Sequence, residues 1–361
     1  MTERVYNFAA GPATLPLQVL EEAQRDLVSL PGTGMSLLEM SHRSKPVEEM
    51  IEGAEEEVRR LARIPDNYRV IFLQGGASLQ FSMVPMNLST RDGTADYIVT
   101  GHFARLALQD AQKISRIRVA GSTEEENFVR VPYQEELDLD PEADYVHITG
   151  NNTIFGTEWP EEPEVAGVPL VADLSSNIFS KPTDITRYGL VYAGAQKNLG
   201  IAGVTLVVIR DDLLSRIAQN LPSMLDYNTH SKAKSAYNTP PVFPIYILGL
   251  VVKWLAQQGG LEHAGRLNED KARLLYDEID ASEFYRGHAL PQHRSRMNVT
   301  FRLPNPDLEA RFVGEAAAEG FVELKGHRTV GGIRASIYNA FPREGVEALV
   351  SFMKEFERTH G

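Results

Sequence analysis

At 361 residues the chain is long enough for about two domains and a sizeable core, and its 43% hydrophobic and 24% charged residues, with 28 glycines and 20 prolines in no repeating period, exclude collagen-like and disordered classes. A formal net charge of −13 repels polyphosphates and anionic lipid, so nucleic acid and membrane surfaces are not expected partners. With no cysteine, disulfides, thiolate zinc sites, iron–sulfur ligation and a cysteine nucleophile are all excluded.

The opening MTERVYNFAAGPATLP lacks a basic stretch followed by an apolar run, and no long run of uncharged apolar residues occurs later, which makes the cytoplasm the expected location. Leu20, Ala23, Leu27 and Leu30 recur at helical spacing, as do Val47, Met50, Ile51, Ala54, Val58 and Leu61 behind Pro46. This predicts two amphipathic helices ahead of the first strand. Short apolar runs follow at 70–73 (VIFL), 97–99 (YIV), 145–148 (YVHI), 169–173 (PLVAD), 190–193 (LVYA) and 204–209 (VTLVVI). Continuous runs of this length, separated by helical patterns, predict a mainly parallel sheet covered on both faces. Residues 15–255 thus read as one large α/β domain. Residues 256–361 read as a smaller α+β domain. Its expected parts are a helix from Leu261 to Ile279, an antiparallel sheet drawn from MNVTFRL, FVEL and RASIY, a helix beginning near Asp307, and a last helix from Val346 to Phe356.

The short patterns of nucleotide, dinucleotide, zinc and serine-hydrolase sites do not occur, and the nine histidines form no metal-like cluster in the sequence. What remains is a set of polar residues directly after strands, where the carboxyl ends of a parallel sheet leave a crevice for ligands. In VIFLQGGASLQF a strand runs through Gly75-Gly76 into a helix expected to begin near Ser78. Such a junction turns free N–H groups and a helix dipole toward an anion, although two glycines also suit a plain tight turn. Asp173 ends the PLVAD strand in apolar surroundings, where a carboxylate needs a cation or several donors, unless it merely caps the next turn. Lys197 sits between AGAQ and NLGIAG, in a stretch otherwise suited to burial, where desolvation would free its amine; a loop lysine reaching solvent is the alternative. Together these match the needs of pyridoxal 5′-phosphate: donors for its phosphate, a carboxylate for its pyridinium nitrogen and an amine for its aldehyde.

The segments NFAAGPATLP, MSHRSKP, FLQGGASLQFSMVPMNL, ADLSSNIFSKP, YAGAQKNLG, YNTPPVF and LKGHRTVGGIRASIYNA span residues 7–340. With them the chain resembles the phosphoserine aminotransferase family, class-V pyridoxal-phosphate enzymes of the aspartate-aminotransferase fold (fold type I). AGAQKN and the stretch from GHR through RASIYNA are the most specific blocks. The resemblance implies a large pyridoxal-phosphate domain, a small C-terminal domain, and an N-terminal segment 1–14 packed near the active site. It implies that Lys197 holds the cofactor as a Schiff base, that Asp173 pairs with the ring nitrogen, and that Thr153 and Ser175 bond near the ring hydroxyl. Gln196 and the backbone of Ala77 and Ser78 would hold the cofactor phosphate, joined by Asn238 and Thr239 from the neighbouring subunit of a homodimer with shared active sites.

Many members of that family place a tryptophan over the cofactor ring where this chain reads TGHFA, so Phe103, or His102 if the alignment moves by one, would stack there. Arg334 in GGIRASIY matches the clamp on the substrate α-carboxylate, a task suited to the planar guanidinium. His42, Arg43, His327 and Arg328 match the group that receives the distal anion, part of it from the partner subunit. The implied reaction moves an amino group from L-glutamate to 3-phosphohydroxypyruvate, giving O-phospho-L-serine and 2-oxoglutarate in serine biosynthesis. Formation of 4-phosphohydroxy-L-threonine in vitamin B6 (pyridoxine) synthesis is a related second reaction. A cysteine desulfurase of this fold is excluded by composition, and an alanine–glyoxylate type aminotransferase would have no use for the four-residue basic group.

Overall fold

The computed structural model describes residues 4–217 and 220–361. A seven-stranded sheet runs, in spatial order, Tyr68–Leu73, Thr205–Arg210, Leu190–Gly194, Leu170–Asp173, Val146–Thr149, Thr94–Val99 and Arg116–Ser122. All neighbours are parallel except Thr205–Arg210, which is antiparallel to both of its partners. Successive side chains leave a strand on opposite faces. Phe72, Ile148, Ala172, Val191, Leu206 and Val208 accordingly enter one core, and Ile71, Val171, Leu190, Tyr192, Val207 and Ile209 enter another. Burial on both faces is why these strands read as unbroken apolar runs.

The helices Lys45–Ala62 and Val242–Gln257 cover the first face, and Gly76–Leu88 and His102–Ala111 the second. Gly249 lets the first pair approach closely, since a β-carbon there would stand 3.3 Å from that of Ala54. Val242–Gln257 carries no polar stripe to betray a helical period, because Ile245, Ile247, Leu248, Val251, Val252 and Leu255 are all buried.

The first helix, Leu17–Val28, does not present the expected face. It buries Val19, Ala23 and Asp26, with Leu20 and Leu30 half-buried and Leu27 38% exposed. Asp26 turns inward, where the Tyr246 hydroxyl donates to it at 2.8 Å and satisfies the buried carboxylate together with Arg25. Nor do the two helices precede every strand: Tyr6–Asn7 comes first and pairs in parallel with Phe321–Val322. FVEL therefore leaves the antiparallel sheet, which is made of Arg286–Gly287, Asn298–Arg302 and Ile333–Ser336. The edge strand Arg116–Ser122 was not expected, since within RIRVAGS only Ala120 is buried.

The helix Gly260–Ala281 gives Leu261 and Ala264 to the sheet's core and Ala272, Leu275, Tyr276 and Ile279 to a further core. That further core is completed by the antiparallel strands and the helices Pro306–Ala318 and Arg343–His360. Among the described residues no single helix is long and apolar enough to cross a membrane.

Candidate active site

A cleft of about 300 Å³ opens beyond the carboxyl ends of the parallel strands. On one wall the chain leaves Tyr68–Leu73 through Gly75 and Gly76, with φ of +88° and +66°, a conformation open to glycine and strained for other residues. A β-carbon at Gly75 would also stand 2.6 Å from Leu79 Cδ2. The helix that follows begins at Gly76, two residues before the expected start, so Gly76, Ala77 and Ser78 lie in its first turn and line the cleft. First-turn N–H groups have no carbonyl within their own helix and suit an anion.

Asp173 closes the strand Leu170–Asp173 at 5% exposure. Its Oδ1 accepts the Ser175 N–H at 2.9 Å, while Ser175 Oγ accepts the Gly194 N–H at 3.0 Å and so ties two strand ends together. Burial pushes the Asp173 carboxyl up, opposed by the Ser175 hydrogen bonds and the charge of Lys197.

One strand over, the turn after Leu190–Gly194 carries Gln196 and Lys197 into the cleft. Lys197 Nζ donates to Thr153 Oγ1 at 2.8 Å and stands 5.4 Å from the centre of the Phe103 ring. Burial lowers the ammonium to about 8, with Asp173 opposing that shift and Arg334 adding to it. The N-terminal segment closes the other side. Ala13 N–H donates to Gln196 O at 2.9 Å, and a β-carbon on Gly11 would come within 3.2 Å of Lys197 Cγ.

Arg334 owes its direction to strand alternation. Ile333, Ala335 and Ile337 fill the small core, so the residue between the first two faces the cleft. It makes no ion pair among the described residues, its buried Nε–H has no partner there, and burial lowers its pKa. His327 also lines the cleft, its ring centre 5.8 Å from that of His102, and burial together with Arg334 and its other cationic neighbours lowers its pKa.

Lys197, Asp173, Thr153, Ser175, Gln196, Ala77, Ser78, Phe103, His327 and Arg334 are thus brought to one cleft. His42, half-buried, and the exposed Arg43 and Arg328 are not among its walls. Asn238 and Thr239 stand apart as well, bonded to Gln74: Asn238 Nδ2 donates to Gln74 Oε1 at 3.4 Å, and Gln74 Nε2 to Thr239 O at 3.0 Å. Residue-level reading missed Asn151, which lines the cleft and whose Nδ2 donates to Ser176 Oγ and Asn298 Oδ1, both at 2.8 Å, tying the chain past Val146–Thr149 to the antiparallel strand Asn298–Arg302. Its position just past the end of Val146–Thr149 is the same signal that marks Asp173.

The chain is similar to known proteins over its whole length. The family described as aminotransferase class-V matches residues 5–349. The phosphoserine aminotransferase of Desulfosudis oleivorans is 54% identical over 363 residues, covering 100% of both chains. Among solved structures, the phosphoserine aminotransferase of Bacillus circulans subsp. alkalophilus superposes with a TM-score of 0.98 at 49% identity over 100% of both chains. That of Trichomonas vaginalis, described with bound PLP, gives 0.93 at 38% identity over 97% of this chain and 100% of its own. With a cleft built on a desolvated lysine and a buried aspartate, and with likeness over its whole length, the chain belongs to the phosphoserine aminotransferase family of class-V aminotransferases.

Proposed function

We propose that the chain transfers an amino group between L-glutamate and 3-phosphohydroxypyruvate with pyridoxal 5′-phosphate as cofactor, forming O-phospho-L-serine and 2-oxoglutarate for serine biosynthesis. The observation that carries this reading is a single cleft holding a lysine amine at about 8, a buried carboxylate and a guanidinium without an ion pair among the described residues. The residues fit the cofactor. A carboxylate as buried as Asp173 needs a cation beside it, and a protonated ring nitrogen would supply one. The first-turn N–H groups of Ala77 and Ser78, with Gln196, would hold the phosphate, and Phe103 would lie against the ring, with Thr153 and Ser175 near its hydroxyl.

When bound, the cofactor supplies an electron sink for the charge that develops at the substrate Cα. Arg334 docks the α-carboxylate, a fork against a fork, beside Lys197. Lys197 Nζ, neutral in a substantial fraction near pH 8, would take the Cα proton of the amino donor and pass it to the cofactor, and would carry a proton from the cofactor to Cα when the keto acid is aminated. Asp173 keeps the ring-nitrogen proton in place. His327 receives the distal anion, a phosphate in one substrate and a carboxylate in the other. His42, Arg43 and Arg328 complete that group, part of it from the partner subunit, and Asn238 and Thr239 complete the phosphate site from the neighbouring subunit of a homodimer working in the cytoplasm. The related phosphorylated threonine precursor of vitamin B6 carries the same pair of anions and is a second substrate.

The test is the visible absorption spectrum of the purified protein before and after addition of L-glutamate or O-phospho-L-serine, followed by borohydride reduction and peptide mapping. A shift with both donors and a label on Lys197 are expected. A label on another residue, or a protein that stays colourless after incubation with the cofactor, would refute the assignment.

A further inference from the structure

Lys271 lies on the helix Gly260–Ala281 with 0% of its surface exposed, and among the described residues no carboxylate pairs with it. Its Nζ donates to three backbone carbonyls, Ile337 O at 3.0 Å, Tyr338 O at 2.8 Å and Phe341 O at 3.1 Å. An ammonium has three donors and no acceptor, so three convergent oxygens use it completely, whereas a neutral amine would set its lone pair against one of them. Burial pulls the group down to about 7, while three carbonyl oxygens at hydrogen-bond distance favour its charged form. Packing alone gives no reason for a cation here, since an apolar side chain of the same length would fill the space without the desolvation cost.

The three carbonyls belong to the turn that directly follows Ile333–Ser336, the strand bearing Arg334. That turn reaches the rest of the cleft. The Tyr338 hydroxyl donates to Ala10 O at 2.8 Å, and the Asn339 N–H donates at 3.1 Å to Oδ1 of Asn198, the neighbour of Lys197. Asn339 Nδ2 also donates to Phe179 O at 2.9 Å. One turn before Lys271 on the same helix face, Asn268 Nδ2 donates to Asn339 Oδ1 at 2.7 Å and to Ser180 O at 2.8 Å.

We propose that Lys271 is a positioning residue: by fixing the 337–341 turn it sets where the Arg334 guanidinium stands relative to Lys197 Nζ, and hence where the α-carboxylate of every substrate docks. The proposal rests on the reading of Arg334 as the carboxylate clamp. Because both amino donors share the α-carboxylate, loosening the turn weakens both alike, while Lys197 and Asp173 keep their own contacts.

The test compares the holoenzyme with Lys271→Met and, as a milder change, Asn339→Ala. The readouts are KM and kcat for L-glutamate and O-phospho-L-serine, the Kd of glutarate, which has two carboxylates and no amino group, and the unliganded absorption spectrum. Lys271→Met is expected to raise both KM values and the glutarate Kd at least tenfold, with kcat within threefold and the spectrum unchanged. A lower melting temperature with KM and Kd unaltered would make Lys271 merely structural and overturn the proposal. Should Lys271→Met not fold, Asn339→Ala decides: a threefold or greater rise in the same constants supports the proposal, and no change overturns it. A wild type whose spectrum ignores both donors would refute the aminotransferase reading and the proposal together. A responsive wild type with unaltered variants would refute the proposal alone.

Discussion

Holding Lys197 in the cleft costs the protein stability, and replacing it should recover some. An amine at about 8 instead of 10.5 disfavours the folded state at pH 7 by roughly 3 kcal/mol, at ~1.36 kcal/mol per pH unit. Lys197→Met keeps the length and removes the charge, but forfeits the 2.8 Å hydrogen bond to Thr153, worth ~1 kcal/mol. The net gain at neutral pH is about 2 kcal/mol. With ~2.1 cal/mol/K of unfolding entropy per residue, a chain of 361 residues shifts by about 1.3 °C per kcal/mol, so the cofactor-free variant should melt about 3 °C higher. The pH dependence has a definite sign. Between 8 and 10.5 the unfolded wild type binds more protons at this position than the folded one, so its stability rises with pH through that window. Its penalty is complete below 8 and gone above 10.5, where the variant keeps only the lost hydrogen bond. The assay is thermal melting of both cofactor-free proteins from pH 6.5 to 10.5, in which groups common to the two cancel. A variant no more stable than wild type at pH 7, or a gain that persists unchanged at pH 10.5, would refute the reasoning.

Thr153→Val removes the acceptor that favours the charged amine, so the pH at which Lys197 of the cofactor-free protein becomes reactive toward an amine-selective reagent should fall by about 0.7 unit, equivalent to a bond of ~1 kcal/mol. Peptide mapping across a pH series measures it, and an unmoved midpoint counts against the contact. Asp173→Asn keeps shape and burial but not charge; turnover should drop by about 100-fold or more in a folded protein, and an unaltered single-turnover rate would remove the aspartate from the mechanism. Gly11→Ala places a β-carbon 3.2 Å from Lys197 Cγ at a φ of +138°, so a loss of ~1–3 kcal/mol of stability together with slower turnover is expected from melting and steady-state assays.

The sheet was legible because its information is local. Runs such as VIFL and LVYA show in every residue that both faces are buried, and the polar residues that break them, Asp173 and the Gln196-Lys197 pair, fall where a crevice must open. Arg334 and His327 carried no such mark and were found through family resemblance, since one arginine in a short antiparallel strand looks like any surface charge. The edge strand Arg116–Ser122 and the helix Val242–Gln257 escaped for opposite reasons, the first too exposed to show an apolar face and the second too buried to show a polar one.

Residue order alone determined the alternation of strands and helices, the glycine turn between the first sheet strand and its helix, and the placement of an acid and an amine at neighbouring strand ends. Tertiary structure decided which distant groups meet there: Gly11 and Thr153 against Lys197, Asn339 against Asn198, and Lys271 beneath the strand of Arg334. The reason is physical. Periodicity records which way a side chain points from its own element, whereas the desolvation that lowers the Lys197 ammonium depends on atoms more than a hundred residues away in the chain, and no local pattern encodes their approach.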